Sequence, residues 1–548
     1  MKKTLIIASI IGLSAAGNVM AQSAVDAFTL SRNDFRGTAR FMSMGGAFGA
    51  LGADLSTLNQ NPAGIGVYRS SEIGVTVALD LLGSTTNDMG YKQTDHMTKF
   101  NCNNFGYVGA LYTGSDVMPY FQFGATYTRA ASFNRRFSGS FGAINGSYSN
   151  YIAGVTSANP ENNYPGFNQS ELASGGNKYN PYIDGPAPWM SILAYNSYLI
   201  NPETDANGNF INNEANPRYK GLWQDGISQG DALYSVQEQG YTDEYAINFG
   251  GNFLDIVYWG MGFGITDINY TAATYYDEAI DNALIPNYEA TGAVTGAAQY
   301  GMDSWKHITG TGFNYKIGVI VKPVPELRLG FAVHTPTYYN LTQQSWAQVN
   351  YNYSTGYKNQ TAETNDGWNY EIDWKMRTPW RMMFSAATVL GGRFILSADY
   401  EYRPNQNISI RTANNDPYIY MNSDVKNYYQ SSNIFRVGTE YRITPRWSVR
   451  AGFNYESTPT TEYALSGQNT IYTEGPEDCG TMPSFTMSRA TSHITAGVGY
   501  KYNSFYIDAA YVYRHRSSDY QPYTTNDYTD VNWSEVKDND SSIVVSLG

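Results

Sequence analysis

The sequence contains very little cysteine, and its two cysteines lie far apart. Cys102 and Cys479 are the only ones in 548 residues. This excludes a small disulfide framework and a cysteine-rich metal site, and it leaves open whether the two residues pair. The histidines are equally sparse: His96, His307, His334, His493 and His515. Their spacing matches no metal or catalytic motif, so we expect no catalytic residues, no metal and no cofactor.

Long apolar runs and excess positive charge are also missing. Mean hydropathy is −0.41, and no apolar stretch after residue 21 is long enough for a transmembrane helix. The chain has 35 basic and 48 acidic residues, a net charge of −13, which argues against nucleic acid as a partner. Aromatic residues, by contrast, make up 15 %. A membrane protein built from strands fits this composition, because alternating strands do not raise an average over a window.

The first 21 residues have the pattern of a secretory signal peptide. Lys2 and Lys3 precede an apolar run over residues 5–13, and small residues lead to Ala21. The run is too short to span a bilayer. We therefore predict that residues 1–21 are removed and that the mature chain is exported.

From residue 70 onward, apolar and polar residues alternate. Within residues 447–456, for example, Trp447, Val449 and Phe453 share one face, while Arg450 falls on the other. A period of two over about ten residues is typical of a transmembrane β-strand. The apolar faces repeatedly end in Tyr or Trp, as expected at the two membrane interfaces.

Fourteen such segments can be counted. Their predicted spans are 71–86, 98–114, 118–134, 241–254, 256–276, 305–323, 326–350, 368–390, 392–411, 428–443, 446–459, 488–502, 504–520 and 537–548. Every second connection is a tight turn and the others are long, the longest covering 135–240. This alternation predicts an all-β fold: a fourteen-stranded antiparallel transmembrane β-barrel over residues 70–548, in the bacterial outer membrane, with both termini on the periplasmic side.

The stretch before the first strand is different in kind. Residues 37–72 are rich in glycine and alanine, which permits close backbone packing. We predict a short helix over Leu55–Gln60 with Asp54 as its N-cap, ended by the rigid corner Asn61, Pro62, Ala63 and Gly64. Residues 22–69 are thus predicted to form a small helical plug inside the barrel.

The corner at Asn61, Pro62 and Ala63, between a glycine-rich segment and a first strand, resembles the N-terminal hatch of the FadL/TodX (OMPP1) family of outer-membrane transporters. Segments 322–337 and 435–452 resemble strands of the same family, and the overall style resembles Bacteroidota proteins. The resemblance implies a monomeric, non-enzymatic channel for passive uptake of hydrophobic compounds such as long-chain fatty acids. Its partners would be the ligand, outer-membrane lipid and lipopolysaccharide, and the barrel-assembly machinery.

In that family, hatch movement releases the ligand sideways through a gap made by a kink in the third strand. Here the third strand is 118–134, with Gly124 as the expected weak point. Two features depart from the family pattern. The chain ends at 544–548 without a terminal aromatic residue, so we expect either a few further residues or an atypical assembly signal. The longest loop is the second one, whereas the family captures ligand with the third and fourth.

The predicted alternation points many charges into the lumen: Arg328, Asp399, Glu401, Arg436, Glu440, Arg442, Arg450, Lys501, Asp508 and Arg514. Most of these should form a ladder of ion pairs. From the set of polar inward residues we single out Arg328, His334, Arg436 and Arg450 as candidates to hold a ligand carboxylate.

The outer loops contain two helical candidates. In the second loop, Trp189, Ile192, Leu193 and Leu199 have helical spacing, and they either form a surface that captures ligand or pack the loop onto the barrel rim. Asp277–Leu284 is the second candidate.

Two other functions remain open from the sequence. A surface receptor or adhesin, for example one that binds haem, would use the tyrosine-rich loops. An outer-membrane lipid hydrolase would need a Ser and a His on adjacent strands, such as Ser385 and His334.

Overall fold

The computed structural model describes residues 24–88, 91–160, 164–173, 179–205, 207–211, 213–289, 292–465, 485–523 and 531–548. The predicted signal peptide and Cys479 lie outside these residues, so cleavage and cysteine pairing stay predictions. Within the described residues, no helix is long and apolar enough to cross a membrane.

The strands of the described residues close into one antiparallel barrel. Its fourteen strands are β1 (Glu72–Asp88), β2 (Tyr91–Tyr112), β3 (Tyr120–Ser132, continued by Arg135–Phe141), β4 (Gln229–Phe253), β5 (Val257–Pro286), β6 (Ala293–Val324), β7 (Leu327–His334, continued by Tyr338–Tyr353), β8 (Tyr370–Arg377, continued by Arg381–Leu390), β9 (Phe394–Pro404, continued by Ser409–Thr412), β10 (Ser431–Arg442), β11 (Trp447–Glu456), β12 (Phe485–Tyr502), β13 (Phe505–Gln521) and β14 (Ser534–Leu547). Each strand pairs with the next, and β14 pairs with β1. The predicted fold class and strand number are confirmed.

The two faces of the wall have opposite chemistry. On β10, Phe435 and Val437 are about half exposed, at 50 % and 47 %, whereas Arg436 and Glu440 between and beyond them are buried. An apolar outer face and a polar inner face are what a barrel in lipid requires. Two of the predicted inward charges, Arg442 and Lys501, are instead exposed, because they lie at strand ends beside short turns.

Several strands extend beyond their predicted ends. Residues predicted as the loop 87–97 belong almost entirely to β1 and β2, and those predicted as the loop 277–304 belong largely to β5 and β6. The predicted helix at Asp277–Leu284 is wrong, since these residues pair with both β4 and β6. The backbone pairing continues through these residues. They no longer need an apolar face toward lipid, so apolar and polar residues stop alternating although the strand continues.

The N-terminal segment contains the helices α1 (Ala24–Leu30), α2 (Ala39–Ser43) and α3 (Thr57–Gln60), followed by a 3₁₀-helix over Pro62–Val67. Residues 24–69 are called the plug below. Helix α3 begins two residues later than predicted, with Ser56 at the N-cap position. Asp54 accepts hydrogen bonds from the Ser56 N–H and the Thr38 hydroxyl instead. Asn61 ends α3 in extended conformation, and its side chain accepts from the Ala63 N–H.

The outer loops fold over the outer end of the barrel. The second loop forms α4 (Tyr148–Thr156), α5 (Gln169–Leu172), α6 (Pro181–Asp184) and α7 (Trp189–Asn196), and later loops form α8 (Ile419–Tyr428) and α9 (Glu462–Leu465). Helices α4 and α7 share one apolar core with residues near the outer ends of β3 to β7. The loops are thus a packed layer continuous with the barrel.

Candidate transport site

The plug lies against the inner face of the wall, where wall glycines leave room for its backbone. A Cβ on Gly318 would lie 1.9 Å from Asn61 Oδ1, and a Cβ on Gly452 would lie 2.2 Å from the Gly45 nitrogen. The same holds for a wider set of wall glycines: Gly260, Gly330, Gly438 and Gly497. Glycines at inward-facing positions of several strands could have indicated from the sequence where the plug packs, but this indication was missed.

Ion pairs and hydrogen bonds join the plug to strands far away in sequence. Arg36 pairs with Asp80 on β1 at 2.8 Å, and Arg40 pairs with Glu440 on β10 at 3.0 Å. At the junction of β1 and β14, the Ala39 N–H donates to the Ser546 hydroxyl at 2.7 Å. The plug therefore contacts the two strands that close the barrel.

Two of the four candidate ligand-binding residues contact the plug directly, and a third pairs with a wall carboxylate that itself contacts the plug. Arg328 donates to the Leu51 carbonyl at 2.6 Å, and His334 Nε2 lies 2.9 Å from the Gln60 carbonyl oxygen. Arg450 pairs with Glu440 at 2.7 Å and with Asp508 at 2.6 Å. The structure does not bring the four together, and among them Arg436 alone borders the lumenal cavity beside the plug in the described residues.

His334 and Ser385 do not form a catalytic pair. On the β7–β8 ladder, Ser385 is opposite Gly330, whereas His334 is opposite Arg381. Four residues along a strand correspond to roughly 13 Å. Among the described residues, no group of three or more His, Cys, Asp or Glu side chains could hold a metal ion.

A cavity of about 140 Å³ lies in the lumen beside plug residues 31–36; we call it the chamber. Its basic lining residues are Arg32, Arg36, Arg129, Lys316, Arg381, Arg403, Arg436, Arg489, Arg514 and Arg516, and its acidic ones are Asp34, Glu244, Glu456 and Asp540. The lining is therefore strongly polar and predominantly basic. It also includes Thr128, Arg129 and Ala130 of β3, so the chamber reaches the wall there.

The ladder between β2 and β3 is incomplete at this point. It ends at Asn104 opposite Thr128, while β2 residues 91–102 pair with β1 alone. On the other side of β3, the ladder to β4 shifts register between Arg129 and Ala131. This discontinuity, between β2 residues 91–103 and β3 residues 129–134, is called the seam. Gly124 is in register with both neighbours, so the break lies beyond the expected weak point.

The plug supplies hydrogen bonds at the seam where β2 does not. The Asp34 N–H donates to the Ala130 carbonyl at 2.8 Å, and the Ser132 N–H donates to Asp34 Oδ2 at 2.9 Å. Burial alone would raise the pKa of the Asp34 carboxyl, but Arg32, with Arg514 and Arg36, outweighs burial and lowers that pKa. Asp34 is therefore an ionised anchor of the plug on β3.

Side chains also cross the seam. Arg129 donates to Asn101 Oδ1 on β2 at 3.1 Å and pairs with Asp243 on β4 at 2.6 Å. The Tyr127 hydroxyl donates to the Cys102 carbonyl at 3.4 Å. The wall is held here by a few side-chain contacts rather than by a backbone ladder.

The four apolar residues predicted to capture ligand do not lie on the surface of the outer end. Trp189, Ile192, Leu193 and Leu199 are all buried, at 7 % exposure or less, which favours packing of the loop over capture of ligand. On another side, Phe28 of α1 stacks on Tyr429, which follows α8, with ring centroids 4.3 Å apart. The outer loops and the plug are thus packed structures, and the chamber borders the side wall at the seam.

A closed barrel of fourteen strands with a plug in its lumen defines an outer-membrane transport protein as a class. Residues 256–468 match the family of outer membrane transport proteins described as OMPP1/FadL/TodX. The match covers these residues only, and over them the resemblance found in the sequence, with its outer-membrane location, is confirmed.

Among solved structures, the chain is similar to a Pseudomonas aeruginosa FadL homologue, with 13 % identity, coverage of 94 % of this chain and 98 % of the other, and a TM-score of 0.48. It is also similar to the P. putida toluene transporter TodX, with 14 % identity, 94 % and 98 % coverage and a TM-score of 0.42. The Ralstonia pickettii toluene transporter TbuX is similar as well, with 12 % identity, coverage of 96 % of this chain and 98 % of the other, and a TM-score of 0.43. No curated protein matches the sequence.

Proposed function

We propose that this protein is a channel for passive uptake of hydrophobic compounds, long-chain fatty acids among them, and that cargo leaves the chamber sideways through the seam. The observation that carries the proposal is the incomplete β2–β3 ladder beside the chamber. Residues 128–130 both line the chamber and border the seam.

The physical argument starts from what holds the seam closed. Each paired strand residue normally contributes backbone hydrogen bonds worth about 0.5–1.5 kcal/mol net apiece. Beyond Thr128, these bonds to β2 are replaced by contacts of Asp34, Arg129 and Tyr127. Opening the wall there breaks fewer backbone hydrogen bonds than opening it along a continuous ladder such as β5–β6. An apolar molecule that leaves here enters lipid directly, without first crossing water.

The plug is the proposed gate. Asp34 lies in the plug and bonds to the edge of β3 that β2 leaves free. Withdrawal of residues 31–36 would remove this bond and also enlarge the chamber, because the same residues line it. One movement of the plug thus connects the chamber with the membrane.

The test fills the proposed exit. Ala130 is buried, lines the chamber and borders the seam, so Ala130→Trp places a large ring in the path. Uptake of oleate and of toluene is measured in proteoliposomes with the wild type and the variant. We expect the wild type to accelerate the influx of at least one probe and Ala130→Trp to reduce that influx by about tenfold or more.

The matched control is Ala451→Trp, which adds the same ring to the outward face of β11, where Ala451 is exposed. It should transport like the wild type. Equal transport by Ala130→Trp and the wild type would place the exit elsewhere. A folded wild-type barrel that accelerates neither probe would refute the channel function itself.

A further inference from the structure

At one place in the chamber, arginine side chains outnumber the acidic side chains that pair with them. Arg381, Arg403 and Arg436 all pair with the single carboxylate of Glu401, at 2.7, 3.0 and 2.6 Å. The Glu401 side chain is fully buried. The nearest other acid in a pair is Glu456, 3.6 Å from Arg403 and about one quarter exposed. One carboxylate thus faces three guanidinium groups.

Two of these arginines have donors that no described residue uses. Arg436 Nη1 and Arg403 Nε are buried without a hydrogen-bond acceptor, and Nδ1 of His493 is buried without any hydrogen-bond partner among the described residues. All three residues line the chamber and are more than nine-tenths buried. A buried donor without an acceptor is unfavourable, because it has lost its hydrogen bonds to water. The wall therefore carries positive charge and donors in excess of its internal acceptors.

The arrangement differs from a site for one flat carboxylate. A carboxylate is matched by a single guanidinium fork in one plane. Here the donors come from separate strands: Arg403 from β9, Arg436 from β10 and His493 from β12. Donors approaching from several strands suit an anion whose oxygens point in several directions, as those of a tetrahedral oxyanion do.

We propose that the chamber binds a phosphate- or sulfate-type oxyanion, contacted by Arg403, Arg436 and His493, either as a free ion or as the head group of an amphiphile. The binding site is a claim about the wall alone. That the bound group belongs to transported cargo rests on the function proposed above, in which case the cargo carries a tetrahedral anionic head and an apolar tail that leaves through the seam.

The test measures equilibrium binding to the full-length barrel in a non-ionic detergent by calorimetry, at fixed ionic strength set with chloride. The probes are inorganic phosphate, sulfate, dodecyl phosphate and laurate. We expect phosphate or dodecyl phosphate to bind, and Arg436→Gln to weaken that binding by about tenfold or more, as expected for one charged hydrogen bond. Arg436→Lys keeps the charge but not the fork and should weaken binding less.

Arg135→Gln is the control for loss of a buried arginine. Arg135 is 6 % exposed and pairs with Asp538, but it does not line the chamber. It should bind phosphate like the wild type. Tighter binding of dodecyl phosphate than of phosphate would identify an amphiphile head, and equal binding would identify the free oxyanion.

Three results would overturn the inference: no phosphate, sulfate or dodecyl phosphate binding by the folded wild type, equal losses in Arg436→Gln and Arg135→Gln, or binding of laurate alone. These results are independent of the transport assay. Influx of oleate or toluene without oxyanion binding would refute this inference and leave the channel function standing. Oxyanion binding without influx would do the reverse.

Discussion

Two parts of the wall, the β5–β6 ladder and the β2–β3 ladder, are built from similar alternating strands and differ in continuity. The β5–β6 ladder runs from Val257 opposite Val321 to Pro286 opposite Ala293 with one shift of register. The β2–β3 ladder ends at Asn104 opposite Thr128, although β2 itself continues outward. The long ladder is held by backbone hydrogen bonds, whereas beyond the end of the short one the plug supplies hydrogen bonds to β3. Under the proposed function, a rigid barrel wall can thus contain a place whose closure a separate segment controls.

The largest effect should come from removing the plug from its position. Gly318→Val on β6 puts a side chain where Asn61 lies, and overpacking of this kind costs about 1–3 kcal/mol. We expect the plug to detach in a substantial fraction of molecules, so that trypsin cleaves after Arg36 or Arg40 and single-channel conductance rises. Gly142→Val is the control, because a Cβ at Gly142 meets no atom within 4 Å. A plug that stays protected in Gly318→Val would show that it docks without this close approach.

A smaller effect is expected at the seam alone. Arg129→Gln removes the pair with Asp243 and weakens the bond to Asn101, so amide hydrogen exchange in β2 residues 91–103 should rise by about tenfold. Thr271→Val on β5 removes a comparable side-chain contact, the 2.8 Å hydrogen bond to His307, but the ladder around it is complete. Exchange in β5 should then be unchanged. Equal responses of the two strands would remove the distinction between them.

The smallest effect is a dependence on pH. The pKa of Asp34 is lowered from its ordinary value of 3.8 by Arg32 and its neighbours, against burial. A carboxyl with a lowered pKa stabilises the docked plug above its ordinary pKa and loses that contribution as pH falls through the lowered value. The protection factor of the Ser132 amide, which is its exchange rate relative to the intrinsic rate at the same pH, should therefore be constant from pH 5 to 8 and fall below about pH 4. Asp34→Asn should abolish this fall, and a wild-type transition near pH 6 would assign it to another group.

The barrel was predictable because lipid acts on every strand in the same local way. Trp447, Val449 and Phe453 alternate with polar residues because each of the three faces lipid. This alternation can be recognised within a single strand, without knowledge of its neighbours. Where a strand leaves the membrane, as at 277–286, the constraint disappears and the prediction of a helix failed. The turn at Asn61 was also predictable, because it depends only on its immediate neighbours in the sequence.

The chamber and the seam were not predictable, because they depend on pairs distant in sequence. Arg40 and Glu440 are 400 residues apart, and Arg403 was not singled out although it shares Glu401 with Arg436. Asp34 gives no local signal of its role. A slip in the alternation of β3 around residues 129–133 was the one available indication of the seam.

The contact between Ala39 and Ser546 has a consequence for biogenesis. Ser546 also lies 2.7 Å, hydroxyl to hydroxyl, from Thr76 on β1, so one serine on the last strand touches both the first strand and the plug. Because α1 packs against α8 at the outer end, the N-terminal segment runs from that end to the junction of the first and last strands. We therefore expect the sheet to curl around this segment during assembly, so that pairing of the last strand with the first closes the barrel with the plug already inside.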